Sequence, residues 1–176
     1  NLSFVQLKKS LYDYTKQVLT ELKSQGTLPD MVQVGNEINH GLVWPEGNVA
    51  HIDQMAQLFQ AGVAAVKSVD PKIVTMLHLA LGGQNDECVF IIDEMLKRKT
   101  HFDVIGLSYY PKWHNTLDDL SANMNDLVRR YDKDVIIVEY SARKEEVNKL
   151  GFELTKAKGT CIWEPLNTWE AVVDRE

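Results

Sequence analysis

Two glutamates carry the chemistry this sequence offers. Val32-Gln33-Val34-Gly35-Asn36-Glu37 is an extended apolar run that ends on an Asn-Glu pair, and Val135-Ile136-Ile137-Val138 ends on Glu139 in the same way. The C-terminal lip of a strand is where a parallel α/β protein keeps its reactive groups. Two such strands deliver two carboxylates to one rim, which is the equipment for acid/base work on a glycosidic bond. In a retaining reaction one carboxyl protonates the leaving oxygen and later activates water. The other attacks the anomeric carbon, and the two stand about 5 Å apart. Either Glu alone could cap its strand end and pair with a nearby Lys or Arg; the repeated context favours a shared reaction.

Other residues gather after the strands. His78 ends a strand, and alone it reads more readily as a hydrogen-bonded structural histidine than as a ligand. With His40, Glu37 and Glu139 it could form a metal site, but no His-x-His or His-Glu-x-x-His spacing supports one, so no metal or other cofactor is expected. Trp44, Trp113 and Trp163 lie in post-strand segments, with Tyr109 and Tyr110 just ahead of Trp113 and with Trp169 further on. Sugar rings present C–H faces to aromatic planes, so this rim suits a polysaccharide groove; packing across a barrel top is the alternative use of the same rings.

The elements that must hold these residues alternate along the chain. Ser3 and Gln6 form a capping-box pattern ahead of a helix with Phe4, Leu7, Leu11, Tyr14, Val18 and Leu22 on one face, ended by Gly26 and Pro29. Met31 to Val34 follows as a strand. Asn48 caps a helix through Ile52, Met55, Phe59, Val63 and Val66, stopped at Asp70-Pro71. Ile73 to Leu77 is the next strand, and Asn85 starts the next helix. Val104 to Leu107, a helix capped by Thr116 with Asp119, Val135 to Val138, a short helix over roughly 144–156, and Thr160 to Trp163 complete the series. This rhythm predicts right-handed βαβ units on a parallel sheet, as in a barrel or an open doubly wound sheet.

Bulk properties narrow the function classes. At 176 residues the chain suits one domain with a sizeable core. A formal charge of −6 and the lack of any basic run argue against a nucleic-acid or membrane-surface partner. No apolar stretch is long enough to span a bilayer. Cys88 and Cys161 sit in apolar-patterned segments and are expected to be buried, unpaired thiols. With no initiator Met or basic-then-apolar leader, any signal peptide is expected to be absent from this stretch or already removed.

Val32 to Ile38 with Gly41 and Trp44-Pro45-Glu46-Gly47 resembles the fourth-strand motif of glycoside hydrolase family 53, the endo-β-1,4-galactanases among the clan A (β/α)8-barrel retaining hydrolases. Leu77-His78-Leu79-Ala80 with Gly82-Gly83 is similar to its fifth strand. Gly106-Leu107-Ser108-Tyr109-Tyr110-Pro111 with Trp113-His114 and Thr116-Leu117 is similar to its sixth, and Val138-Glu139-Tyr140-Ser141 and Trp163-Glu164-Pro165 to its seventh and eighth. The Asn-Glu pair is common across the clan; the fourth and sixth motifs together are specific. The resemblance implies an α/β fold, a (β/α)8 TIM barrel present as a partial barrel of five parallel strands, with residues 1–176 forming the C-terminal part of one glycosidase domain. It implies Glu37 as general acid/base, Glu139 as nucleophile and Asn36 as partner of the sugar 2-hydroxyl. It further implies Tyr109 or Tyr110 as the residue that orients Glu139, Trp163 as the floor of that subsite, and Trp113 and His78 as groove lining.

The resemblance covers strands four to eight, and five strands cannot close an eight-strand barrel. The chain is therefore expected to need the N-terminal half of its own barrel and to be inactive or poorly folded alone. The segment Ser141 to Asn148, where many bacterial members carry a calcium loop, lacks an oxygen-rich ligand array, so no calcium is expected there. The implied substrate is β-1,4-galactan or its oligosaccharides, and the implied location extracellular or periplasmic. Another clan A glycanase acting on mannan or xylan, and a non-catalytic galactan-binding fragment, are the competing readings.

Overall fold

The computed structural model describes residues 2–154 and 156–164. Elements alternate as the sequence predicts: α1 (Phe4–Ser24), β1 (Met31–Gln33), α2 (Ile52–Val69), β2 (Val74–Leu79), α3 (Asn85–Lys97), β3 (Val104–Tyr109), α4 (Leu117–Tyr131), β4 (Asp134–Tyr140), α5 (Lys144–Glu153) and β5 (Ala157–Ile162). The chain divides into two compact units. One comprises Asn1–Leu77 with Ile92–Asp103, and the other His78–Ile91 with the chain from Val104 onward.

In the first unit β1 pairs in parallel with β2, Met31 opposite Val74 and Gln33 opposite Met76. Helix α1 starts on the expected capping box: the Ser3 amide donates to Gln6 Oε1 at 2.9 Å and the Gln6 amide donates to Ser3 Oγ. Its buried residue is Leu19, whereas Tyr14 and Val18 from the predicted apolar face are exposed. The 3.6-residue period allowed either face, and packing on α2 selected the one a little further round. Helix α2 is apolar enough to be buried on a wide stripe, with Met55, Leu58, Phe59, Val63 and Val66 all in the core. Phe59 meets Phe102 edge-on at 6.4 Å. Burial of each such side chain contributes about 1.5–3 kcal/mol. Asn48 caps a short 3-10 turn, Val49–His51, that leads into α2, its Oδ1 accepting from the Ala50 amide at 2.7 Å.

In the second unit β3, β4 and β5 pair in parallel. All six residues of β3 are buried, as expected of a strand covered on both faces. Helix α4 begins on the Thr116–Asp119 capping box and turns Leu120, Met124 and Leu127 inward. The register slips between Leu107 and Ser108: Leu107 faces Ile137, but Ser108 faces Glu139. Strand β4 thus holds one extra residue, Val138, just before Glu139, and the strand runs on to Tyr140. A bulge of this kind re-aims the side chains around it.

The cysteines part company. Cys88 is buried, and burial pushes its thiol up to about 12 against the lowering effect of its Asn123 hydrogen bond. Cys161 is exposed, correcting the expectation of two buried thiols. In β5 Gly159 is buried, whereas Cys161 near the end of the strand is exposed.

Candidate active site

In the first unit the chain leaves β1 through a turn that only certain residues permit. Gly35 has φ +78, and a Cβ there would come within 2.7 Å of both Ile38 and Leu42. Asn36 is exposed, with its Oδ1 accepting from Gln33 Nε2 at 3.1 Å. Glu37 follows at φ 47, ψ 55, a left-handed conformation that costs a side-chain-bearing residue energy. It caps a 3-10 turn, Ile38–His40, whose Ile38 and Asn39 are buried. Strain of this sort concentrates at working residues, and here it lifts the half-buried Glu37 out of the line of the strand. The loop beyond closes on itself by a bridge between Gly41 and Asn48 and leaves Trp44 exposed.

The second unit holds the other glutamate. Tyr110 Oη donates to Glu139 Oε1 at 2.7 Å, a charge-assisted bond at the lip of β3 and β4. Of the two adjacent tyrosines it is Tyr110 that meets the glutamate. Tyr109 is fully buried, its hydroxyl donating to the Asn115 carbonyl at 3.2 Å, and burial raises that hydroxyl above its usual range. His78 is buried with Nε2 at 2.8 Å from Ser108 Oγ. Trp113 stands edge-on to Tyr110 at 6.2 Å, and Lys112 Nζ lies 4.9 Å from the Trp113 ring centre. A cavity of about 310 Å³ opens here between Tyr110, Pro111, Lys112, Trp113 and the Ser141–Arg143 segment. That size suits a small ligand. Trp163 follows β5 and is exposed; its amide donates to the Tyr140 carbonyl at 2.8 Å. Trp169 lies outside the described residues.

Within each unit, then, a glutamate stands at or just beyond a strand end, and Glu139 is bonded to a tyrosine. A match over residues 1–161 to the model of Glycosyl hydrolase family 53 decides what these features belong to. The chain is a member of glycosyl hydrolase family 53. An uncharacterised protein from the bgaB 5′ region of Niallia circulans is 45% identical over 78% of this family 53 chain and 40% of its own length. An endo-β-1,4-galactanase of Bacillus subtilis is 36% identical over 80% of this chain and 32% of its own length. A solved fungal β-1,4-galactanase is 27% identical and superposes with a TM-score of 0.85, covering 94% of this chain and 60% of that one. The fold is the glycosidase (β/α)8 barrel, held here in part, and the chain spans less than half the length of those two curated relatives.

Sequence reasoning passed over two residues that the structure brings into the site. Ser108 meets His78, and His114 is buried against Tyr110 with ring centres 5.6 Å apart. The available signal was position: both lie within two to four residues of Tyr110 in the sixth-strand motif.

Proposed function

We propose that this chain forms the catalytic portion of a retaining endo-hydrolase of β-1,4-galactan. Family membership supports the substrate and reaction class, and the single observation that carries the mechanism is the 2.7 Å bond from Tyr110 to Glu139. In this reading the Glu139 carboxylate attacks the anomeric carbon while the glycosidic C–O bond breaks and Glu37 gives its proton to the leaving oxygen. Water then adds to the same carbon, Glu37 takes the water's proton, and the glycosyl–Glu139 ester bond breaks. Tyr110 holds one Glu139 oxygen so that the other is aimed. Asn36, exposed on the turn beside Glu37, binds the 2-hydroxyl, Trp163 and Trp113 offer ring faces to successive sugars, and His78 lines the groove. A polymeric substrate places the enzyme outside the cytoplasm, extracellular or periplasmic, and the reading gives it the N-terminal half of a barrel as partner.

The test joins this chain to the first three βα units of a family 53 barrel and supplies β-1,4-galactan, β-mannan and xylan in parallel. Release of reducing ends from galactan with retained anomeric configuration, lost in both Glu37→Gln and Glu139→Gln, is the expected result. Turnover of mannan or xylan in place of galactan, or undiminished galactan turnover in either variant, would overturn it. Galactan binding without turnover would mark a binding module.

A further inference from the structure

We propose that His114 is a positioning residue for Glu139, acting through Tyr110. The Tyr110 amide donates to His114 Nδ1 at 3.1 Å, and the two rings pack edge-to-face at an interplanar angle of 77°. Tyr110 is therefore held at its backbone and its ring by one buried side chain, and at its hydroxyl by Glu139. The histidine in turn is seated firmly. Its own amide and that of Trp113 both donate to the Tyr110 carbonyl at 2.9 Å, folding the segment into a tight turn. Gly83 lies so close beneath that a Cβ would come within 2.0 Å of the His114 carbonyl oxygen. Gln84 Nε2 donates to the Trp113 carbonyl at 3.1 Å, and Asn115 Nδ2 to the Gly83 carbonyl at 3.3 Å.

The hydrogen-bond accounting also assigns a tautomer. His114 Nδ1 lies 3.0 Å from the Ser108 carbonyl, which already receives the Gly82 amide at 3.0 Å. A proton on Nδ1 would point at that carbonyl and withdraw the acceptor from the Tyr110 amide. A bare Nδ1 accepts from the Tyr110 amide and leaves the Ser108 carbonyl to the Gly82 amide, so this acceptor role requires the tautomer with its proton on Nε2. An imidazole nitrogen is thus used as a fixed acceptor that sets where the Tyr110 ring, and with it the Tyr110 hydroxyl, stands.

The inference rests on the reading of Glu139 as nucleophile for its kinetic consequence, but not for its hydrogen bond. Nitrogen-15 NMR of the chain assembled with the first three βα units should show an unprotonated His114 Nδ1 with a through-hydrogen-bond coupling to the Tyr110 amide nitrogen. A protonated Nδ1 at neutral pH would overturn the assignment. In the active assembly, His114→Phe, which keeps a ring but loses the acceptor, should lower kcat on galactan about tenfold with KM within about twofold. His114→Asn, which places an oxygen near the Nδ1 position, should recover most of that loss. In a Tyr110→Phe background His114→Phe should add almost nothing, because both act on Glu139 through one hydroxyl. Additive losses in the double variant, or equal losses in the Asn and Phe variants, would mean that His114 only supports the fold. Full activity on galactan in Glu139→Gln would instead sink the reading of Glu139 as nucleophile and leave the NMR result standing.

Discussion

Tyr110 and Asp103 show how single side chains can be tested apart from the fold. Tyr110→Phe removes one oxygen and leaves the ring against His114 and Trp113. A hydrogen bond to a charged group is worth about 1.5–3 kcal/mol, so kcat on galactan should fall about 10- to 100-fold with little change in thermal midpoint. Steady-state kinetics beside a melting curve checks this. Asp103, in the first unit, has an Oδ2 that accepts from Lys67 Nζ, the Thr75 amide and Thr75 Oγ1 at 2.7 to 2.9 Å. Burial pushes its carboxyl up, but the Lys67 and Thr75 bonds outweigh this and hold it below the usual carboxylate value. A depressed carboxylate stabilises the fold above its unfolded pKa and loses that contribution as pH falls through the folded value. Since the Asp103 side chain is 46% exposed, solvent screening limits the effect. Asp103→Asn should therefore cost about 1 kcal/mol at neutral pH, with the gap closing below about pH 4, as read by urea titration at several pH values.

At the level of elements, packing between α2 and the β1 exit is set by Gly62. A Cβ there would come within 2.6 Å of Val34 Cγ1, a branched side chain itself buried in the core. Gly62→Ala gains helix propensity yet overpacks this contact, so a net loss of about 1–3 kcal/mol in unfolding free energy is expected, measured by denaturant titration. The β4 bulge is the element-scale feature of most consequence for the proposed reaction. Val138 as an extra residue puts Glu139 opposite Ser108, two residues before the tyrosine that binds it. Nothing in Val135-Ile136-Ile137-Val138-Glu139 announces that slip, because both a regular and a bulged strand satisfy the same apolar run.

At the scale of the whole chain, the first unit ends in an unfinished surface. β1 pairs with β2 on one side, and among the described residues no strand pairs with its other edge. Met31 on that strand is exposed, and so are Val5, Tyr14 and Val18 on α1. An open strand edge with apolar neighbours is a site for pairing with further chain. Supplying the first three βα units of a family 53 barrel should cover it. The expected outcome is a fall in hydrophobic-dye fluorescence together with the appearance of galactan turnover. Galactan turnover by the 176-residue chain alone would show that the open edge does not limit activity.

Much of this protein was legible from local rules. The strand–helix alternation, the Ser3–Gln6 and Thr116–Asp119 caps and the glutamates at two strand ends follow from periodicity and from contacts within a single turn, and these survive in the structure. The fourth- and sixth-strand motifs were legible for the same reason, since a motif is a short run of adjacent residues. Other features depended on which surfaces met. Packing on α2 decided that Leu19 rather than Val18 is buried, and Cys161 near the end of β5 is exposed. The choice of Tyr110 over Tyr109 as the partner of Glu139 was fixed by strand register, where a one-residue slip sends a side chain to the other face. The left-handed Glu37 likewise required the folded backbone, because such strain persists only where the surrounding structure holds a residue in place. The seating of His114 under Tyr110, though the two are only four residues apart, depends on a turn geometry that residue types alone do not announce.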